Sequence, residues 1–129
     1  MAKSKVYRLG DLQLRIMKVL WQRTEPGTVA EVHQALSKEG YLAYTTIATI
    51  LRKMEARGLV RHRLHERKFF YRPAVQAEEI TRKISAHFIE RLFEGSLADM
   101  LAHLLTTHEI SREELARLEE LIAERRKKL

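Results

Sequence analysis

Apolar residues recur along most of this chain at the three-and-four spacing of amphipathic helices. Leu12, Ile16, Val19 and Leu20 predict a first helix over roughly 11–23, with Asp11 as its N-cap. Glu25-Pro26-Gly27 breaks it. Thr28 with Glu31 three residues on is a capping box, each side chain satisfying the other's free backbone N–H. Val29, Val32 and Leu36 stripe that second helix, and Gly40 is expected to end it. Ile47, Ile50, Leu51 and Met54 stripe a third over 44–57, closed by Gly58. Leu59–Leu64 and Lys68–Pro73 are short β-prone runs around His65-Glu66-Arg67, a hairpin whose tip lacks the Asn-Gly of a tight turn. In this hairpin, Phe69 or Phe70, whichever points inward, is expected to pack on the core.

Beyond Pro73 the period is helical throughout. Ile80, Ile84 and Phe88 stripe a helix over 76–94, and Gly95-Ser96 interrupts it. Leu97, Met100, Leu101, Leu104 and Leu105 stripe a shorter helix. Ser111 and Glu114 form a second capping box before Leu115, Leu118, Leu121 and Ile122. The expected fold is therefore mostly α with a small β-hairpin wing. Residues 1–75 would form a winged helix-turn-helix head, and 76–129 a helical dimerisation domain.

Charge divides at the same place. Residues 1–75 carry 15 Lys and Arg against 6 Asp and Glu, a net +9, whereas 76–129 carry 9 against 11, a net −2. The basic half points to a polyanion. The chain has no Cys, which excludes disulfides, thiolate catalysis and cysteine-held zinc. None of the six His completes an HExxH or a pair at i, i+4, and no Gly-rich phosphate loop or nucleophile elbow occurs, so no metal, cofactor or enzymatic role is expected. With no apolar run long enough to span a bilayer, membrane insertion is not expected and the cytoplasm is the expected compartment.

Helix, short connection, helix and basic hairpin together predict double-stranded DNA as partner, with the third helix in the major groove. At about 100° per residue, Ile50, Leu51 and Met54 fall within about 60° of Ile47. Thr45, Thr49, Arg52, Lys53 and Ala56 fall opposite, with Thr46 and Ala48 on the flanks and Tyr44 at the N-terminal edge. Tyr44, Thr45, Thr46, Ala48 and Thr49 are the candidate base readers, since Thr hydroxyls and Thr and Ala methyls match base-edge chemistry. Arg52, Lys53, Arg63, Arg67 and Lys68 are the candidate phosphate contacts. Leu97, Met100, Leu101, Leu104, Leu115, Leu118 and Ile122 offer more apolar surface than short helices can hide alone, which predicts a homodimer or a tail folded on its own head. A winged-helix protein-interaction module without specific DNA binding is the alternative reading.

Leu9-Gly10-Asp11-Leu12, Val19-Leu20-Trp21, Thr28–Leu36, Leu42–Ile47, Gly58-Leu59-Val60 and Phe69-Phe70-Tyr71 resemble the penicillinase repressor family of bacterial transcriptional regulators. The resemblance spans nearly the whole chain and is strongest through residue 73. It implies a homodimeric repressor on a pseudo-palindromic operator with TACA/TGTA-like half-sites, controlling β-lactam resistance or a stress-response gene. It also implies a three-helix dimerisation domain and, as in several members, a membrane-bound sensor protease that triggers cleavage there. The cleaved Asn-Phe bond of the family aligns with His103-Leu104. Ala48 stands where staphylococcal members have arginine, and the cysteine cluster of the copper-responsive branch is absent.

Overall fold

A computed structural model describes residues 9–129; the first eight residues of the expected head lie outside the described residues. In chain order the elements are α1 (Asp11–Trp21), β1 (Gly27–Thr28), α2 (Val29–Leu36), α3 (Tyr44–Ala56), β2 (Val60–His65), β3 (Lys68–Pro73), α4 (Ala77–Phe93), α5 (Leu97–Thr107) and α6 (Arg112–Lys127). The chain forms two compact units, one ending at Ser85 and the other running Ala86–Leu129.

The first unit is a helical head with a small sheet. Ile16, Met17 and Leu20 of α1 meet Val32 and Leu36 of α2 and Ile47, Leu51 and Met54 of α3 in one buried cluster. These are the positions that the helical period marks as apolar. Leu59, Val60, Tyr71 and Val75 close the cluster from the sheet side, and Ile80 from the start of α4. The head thus takes in the first half of α4. The indole N–H of Trp21 donates to the Val75 carbonyl at 2.9 Å, which ties the end of α1 to the segment between β3 and α4.

Local chemistry sets the helix ends. At α1 the N-cap is Gly10, not Asp11, and the Gln13 side chain accepts the Gly10 N–H at 3.2 Å. Asp11 sits instead in the first turn, where its charge suits the helix dipole. The helix stops at Trp21, two residues short of expectation. The Thr28–Glu31 box is complete: Thr28 Oγ1 accepts the Glu31 N–H at 3.1 Å and Glu31 Oε1 accepts the Thr28 N–H at 2.9 Å. That backbone bond, aided by the nearby Arg23 guanidinium, holds the Glu31 carboxyl below its usual range. Its contribution to stability is accordingly present above the ordinary carboxylate pKa and lost as pH falls through the lowered one. The second helix ends at Leu36 and passes through a 3-10 turn, Ser37–Glu39, before Gly40, whose φ of 140° suits only glycine. Ser111 caps α6 by accepting the Glu114 N–H at 3.0 Å, without a return bond from Glu114 among those observed.

The sheet is antiparallel with strand order β1-β3-β2, one strand more than the expected hairpin. Gly27 pairs with Tyr71 and Thr28 with Phe70. His65 pairs with Lys68, so Glu66 and Arg67 alone form the loop. Their φ values are 51° and 67°. A two-residue loop matched to strand twist needs positive φ at both positions, a state that costs side-chain-bearing residues about 1–2 kcal/mol each. The double substitution Glu66→Asn, Arg67→Gly should therefore raise head stability by about 1–2 kcal/mol in urea titration. An unchanged midpoint would mean that the loop carries no backbone strain.

Strand register decides which aromatic is buried. Val60 is fully buried, and Tyr71, opposite His62 on the same face, is 1% exposed. Phe69 shares that face but lies further out, 40% exposed, and Phe70 points to the other face, half-buried. The core aromatic is thus Tyr71, not Phe69 or Phe70.

In the second unit, neither α5 nor α6 contains a buried residue. Met100, Leu101 and Leu118 are half-buried, while Leu97, Leu104, Leu105, Leu115, Leu121 and Ile122 are exposed. No helix among the described residues is long and apolar enough to cross a membrane.

Candidate nucleic-acid interface

The third helix presents its two faces as the periodicity predicts. Ile47, Leu51 and Met54 are fully buried, which fixes the helix's rotation. Tyr44, Thr45 and Thr46 then stand exposed in its first turn, Ala48 and Thr49 half-buried beside them, and Arg52, Lys53 and Ala56 exposed further along. No acid lies in the first turn of α3. Glu55, its only carboxylate, is turned to the wing, where its two oxygens lie 2.7 and 2.9 Å from His62 Nδ1. The surface offered by the front of α3 is thus hydroxyl, methyl and phenol, with cations behind.

The hairpin tip comes to the same end. A groove of about 300 Å³ is lined by Thr28, Val29 and Ala30 from the start of α2, Tyr44 from the start of α3, and Arg67, Lys68 and Phe69 from the wing. Candidate residues far apart in sequence, Tyr44 with Arg67 and Lys68, meet here. Arg63 does not join them. It lies with Pro26, Leu64, His65 and Phe70 along a second groove, and register puts Arg63, His65 and Phe70 on the sheet face away from the buried Tyr71. Strand alternation separates it from Arg67, which occupies the turn.

His62 ties the wing to α3, a role that the sequence does not signal. Besides its contact with Glu55 at the end of α3, its ring stacks on Phe69 at 4.1 Å and lies 5.7 Å from Tyr71. It clamps the wing to the helix that the wing must accompany. Nothing in the local sequence around His62 points to a partner seven residues back across Gly58, so no signal was there to find it. His33 plays a similar part at the other end of α3: its Nε2 lies 2.6 Å from the Leu42 carbonyl, and its ring meets Tyr44 edge-on at 5.9 Å. That contact helps hold Tyr44 at the head of the outward face.

Among the described residues, no group of His, Cys, Asp and Glu is arranged to hold a metal ion. Helix α3 is about 20 Å long, and a helix of its diameter fits a major groove about 12 Å wide. The arrangement can therefore place short hydrogen-bonding side chains against base edges while Arg52, Lys53, Arg67 and Lys68 approach phosphates.

The sequence pattern of the penicillinase repressor family matches residues 9–124. The chain belongs to the penicillinase repressor family. Among its relatives in that family, the transcriptional regulator BlaI of Mycobacterium tuberculosis is 38% identical, over 69% of this chain and 77% of that protein. The penicillinase repressor of Bacillus licheniformis is 29% identical, over 94% of each chain. A solved MarR family protein from Bacillus stearothermophilus overlays with a TM-score of 0.46 at 24% identity, covering 95% of this chain and 76% of that one. The family match runs from the start of α1 almost to the end of α6, so it takes in the head and the tail.

Proposed function

We propose that this penicillinase repressor family member is a sequence-specific DNA-binding transcriptional repressor that acts as a homodimer in the cytoplasm. The observation that carries the reading is the acid-free, exposed front of α3 lying beside the cationic tip of the wing. Two copies would set two α3 helices into successive major grooves, about 34 Å apart, on a two-fold operator. Tyr44, Thr45, Thr46, Ala48 and Thr49 read bases. Arg52, Lys53, Arg67 and Lys68 hold phosphates, with Arg63 on the flank of the wing. The bound dimer occludes polymerase. The family relationship favours a resistance or stress-response gene as target.

The tail supplies the second copy's contact. Two helices without one buried residue leave their leucines to water unless a partner covers them. Leu97, Met100, Leu101 and Leu104 of α5 and Leu115, Leu118 and Ile122 of α6 form that dimerisation surface. Release by a membrane-bound sensor protease would act at His103-Leu104. Both residues are exposed, but the bond lies inside α5, a setting that protects it from casual nicking until the helix is opened.

Fluorescence anisotropy tests the reading, with a duplex from upstream of the chain's own gene against a scrambled duplex at two salt concentrations. Native sequence should win by at least about a thousandfold. Equal, salt-insensitive binding to both would favour a winged-helix protein-interaction module. Thr46→Ala should weaken the operator by about tenfold and leave random DNA unchanged, whereas Arg67→Ala should weaken both and lower the salt slope by about 1 per protomer. Equal loss on both duplexes would remove Thr46 from the base readers, and an unchanged slope would remove Arg67 from the phosphate contacts.

A further inference from the structure

The outer face of the wing carries two cations, Arg61 and Arg72, that the α3 interface does not use. Register places Arg61 directly opposite Arg72, Arg63 opposite Phe70 and His65 opposite Lys68, all on the face away from the buried Val60 and Tyr71. Neither strand contains a carboxylate. Glu66, in the loop, lies 3.8 Å from His65. Arg61, Arg63 and Arg72 are exposed and make no hydrogen bond or ion pair with another described residue. Like charges directly opposed across a sheet destabilise it when nothing neutralises them. Their spacing repeats, at about 6.6 Å along a strand and about 4.8 Å between strands. An extended polyanion fits such an array better than a single small anion does.

Resting on the reading of the chain as DNA-binding, we propose that this outer face is a second duplex surface. It holds backbone phosphates that flank the base pairs read by α3, with Arg61 and Arg72 as its principal contacts. Continuity argues for duplex as the occupant. Lys68 belongs both to this face and to the groove that Tyr44 and Arg67 share, so a backbone leaving the tip runs onto the array. The inner face is taken by the head. Duplex lying on α3 therefore reaches the outer face only beyond the tip, outside the half-site. The function is affinity gained from flanking DNA of any sequence, which favours operators embedded in long duplex.

The test uses the full chain and the duplex it enriches from a random pool of about 40 base pairs. This duplex is compared at full length and trimmed to the protected core. Wild type should bind the long form about tenfold more tightly and with a steeper salt dependence. Arg61→Gln with Arg72→Gln should abolish that gain, lower the salt slope on the long duplex by about 2 per protomer and leave the trimmed duplex bound as before. The matching pair Arg61→Lys and Arg72→Lys should retain the gain, which separates charge from any change in the sheet. Wild-type affinity and slope on the long duplex in the Gln variant would overturn the inference and leave the face to an acidic protein surface. If the wild type enriches no sequence, the parent reading fails instead.

Discussion

Tyr71→Ala is expected to remove about 3–5 kcal/mol from the stability of the head, the largest loss of any single side-chain truncation there. Tyr71 is the largest of the fully buried side chains and joins β3 to the core formed by α1, α2 and α3. Truncation leaves a void walled by fixed helices, and the ring contacts with His62 at 5.7 Å and Phe69 at 6.2 Å go with it. The wing would lose its anchor along with the core, so operator binding should fall even where the head stays folded. Urea unfolding followed by the Trp21 fluorescence reads the first effect, and anisotropy at low temperature reads the second. A loss under about 1 kcal/mol would mean that the wing is held by its strand pairing alone.

The conservative partner Tyr71→Phe separates shape from ionisation. Burial, with the nearby Glu55 carboxylate adding to it, pushes the Tyr71 phenol above its ordinary value of 10.0, and Arg52 opposes them. The folded state thus keeps a proton that the unfolded chain gives up. Stability is fully present below pH 10 and falls as pH rises through the raised pKa. Phenylalanine cannot ionise, so Tyr71→Phe should flatten the alkaline side of the stability profile and leave the neutral region little changed. A wild-type alkaline limb in the variant would assign that limb to other groups.

The same residue shows where sequence reasoning stops. Helices announce themselves over many residues, and the periods that mark Ile16, Val32, Leu51 and Ile80 survive into the folded core. The outward face of α3 was legible for the same reason: rotation about a helix is fixed once three buried positions are known. A short hairpin has no such redundancy. Whether Phe69, Phe70 or Tyr71 faces inward depends on the loop length, because a slip of one residue reverses every side chain. Glu66-Arg67 as a two-residue loop lacks the usual Asn-Gly, so the sequence leaves the register open, and the structure sets it with His65 opposite Lys68. That register also divides the wing's cations, with Arg67 in the turn and Arg61, Arg63 and Arg72 on the outer face. Two-residue β1 has no sequence pattern at all; it exists because Gly27 and Thr28 pass beside β3 on their way to the cap of α2.

The other large effect lies in the tail. Leu104→Glu combined with Leu115→Glu is expected to turn the proposed dimer into a monomer and to weaken operator binding by about a hundredfold or more. Both leucines are exposed within one protomer, at 36% and 44%, so the charges stay hydrated when the chain is alone. In a dimer that covers α5 and α6, each would sit at an apolar contact without a cationic partner of its own, and burying an unpaired carboxylate costs several kcal/mol per site. Loss of the dimer makes the second half-site a separate binding event, without the high local concentration that a linked head enjoys. The head's own core, from α1 to the first half of α4, contains neither leucine, so its melting should be unaffected. Sedimentation equilibrium across a range of concentrations should therefore give the monomer mass, 15.2 kDa, for the variant and twice that for the parent chain. Binding to random DNA, which needs only the cations of one head, should fall far less than binding to the operator. A variant that stays dimeric would move the interface away from these leucines. A parent chain that is monomeric at every concentration would remove the dimer itself, and the two-fold operator with it.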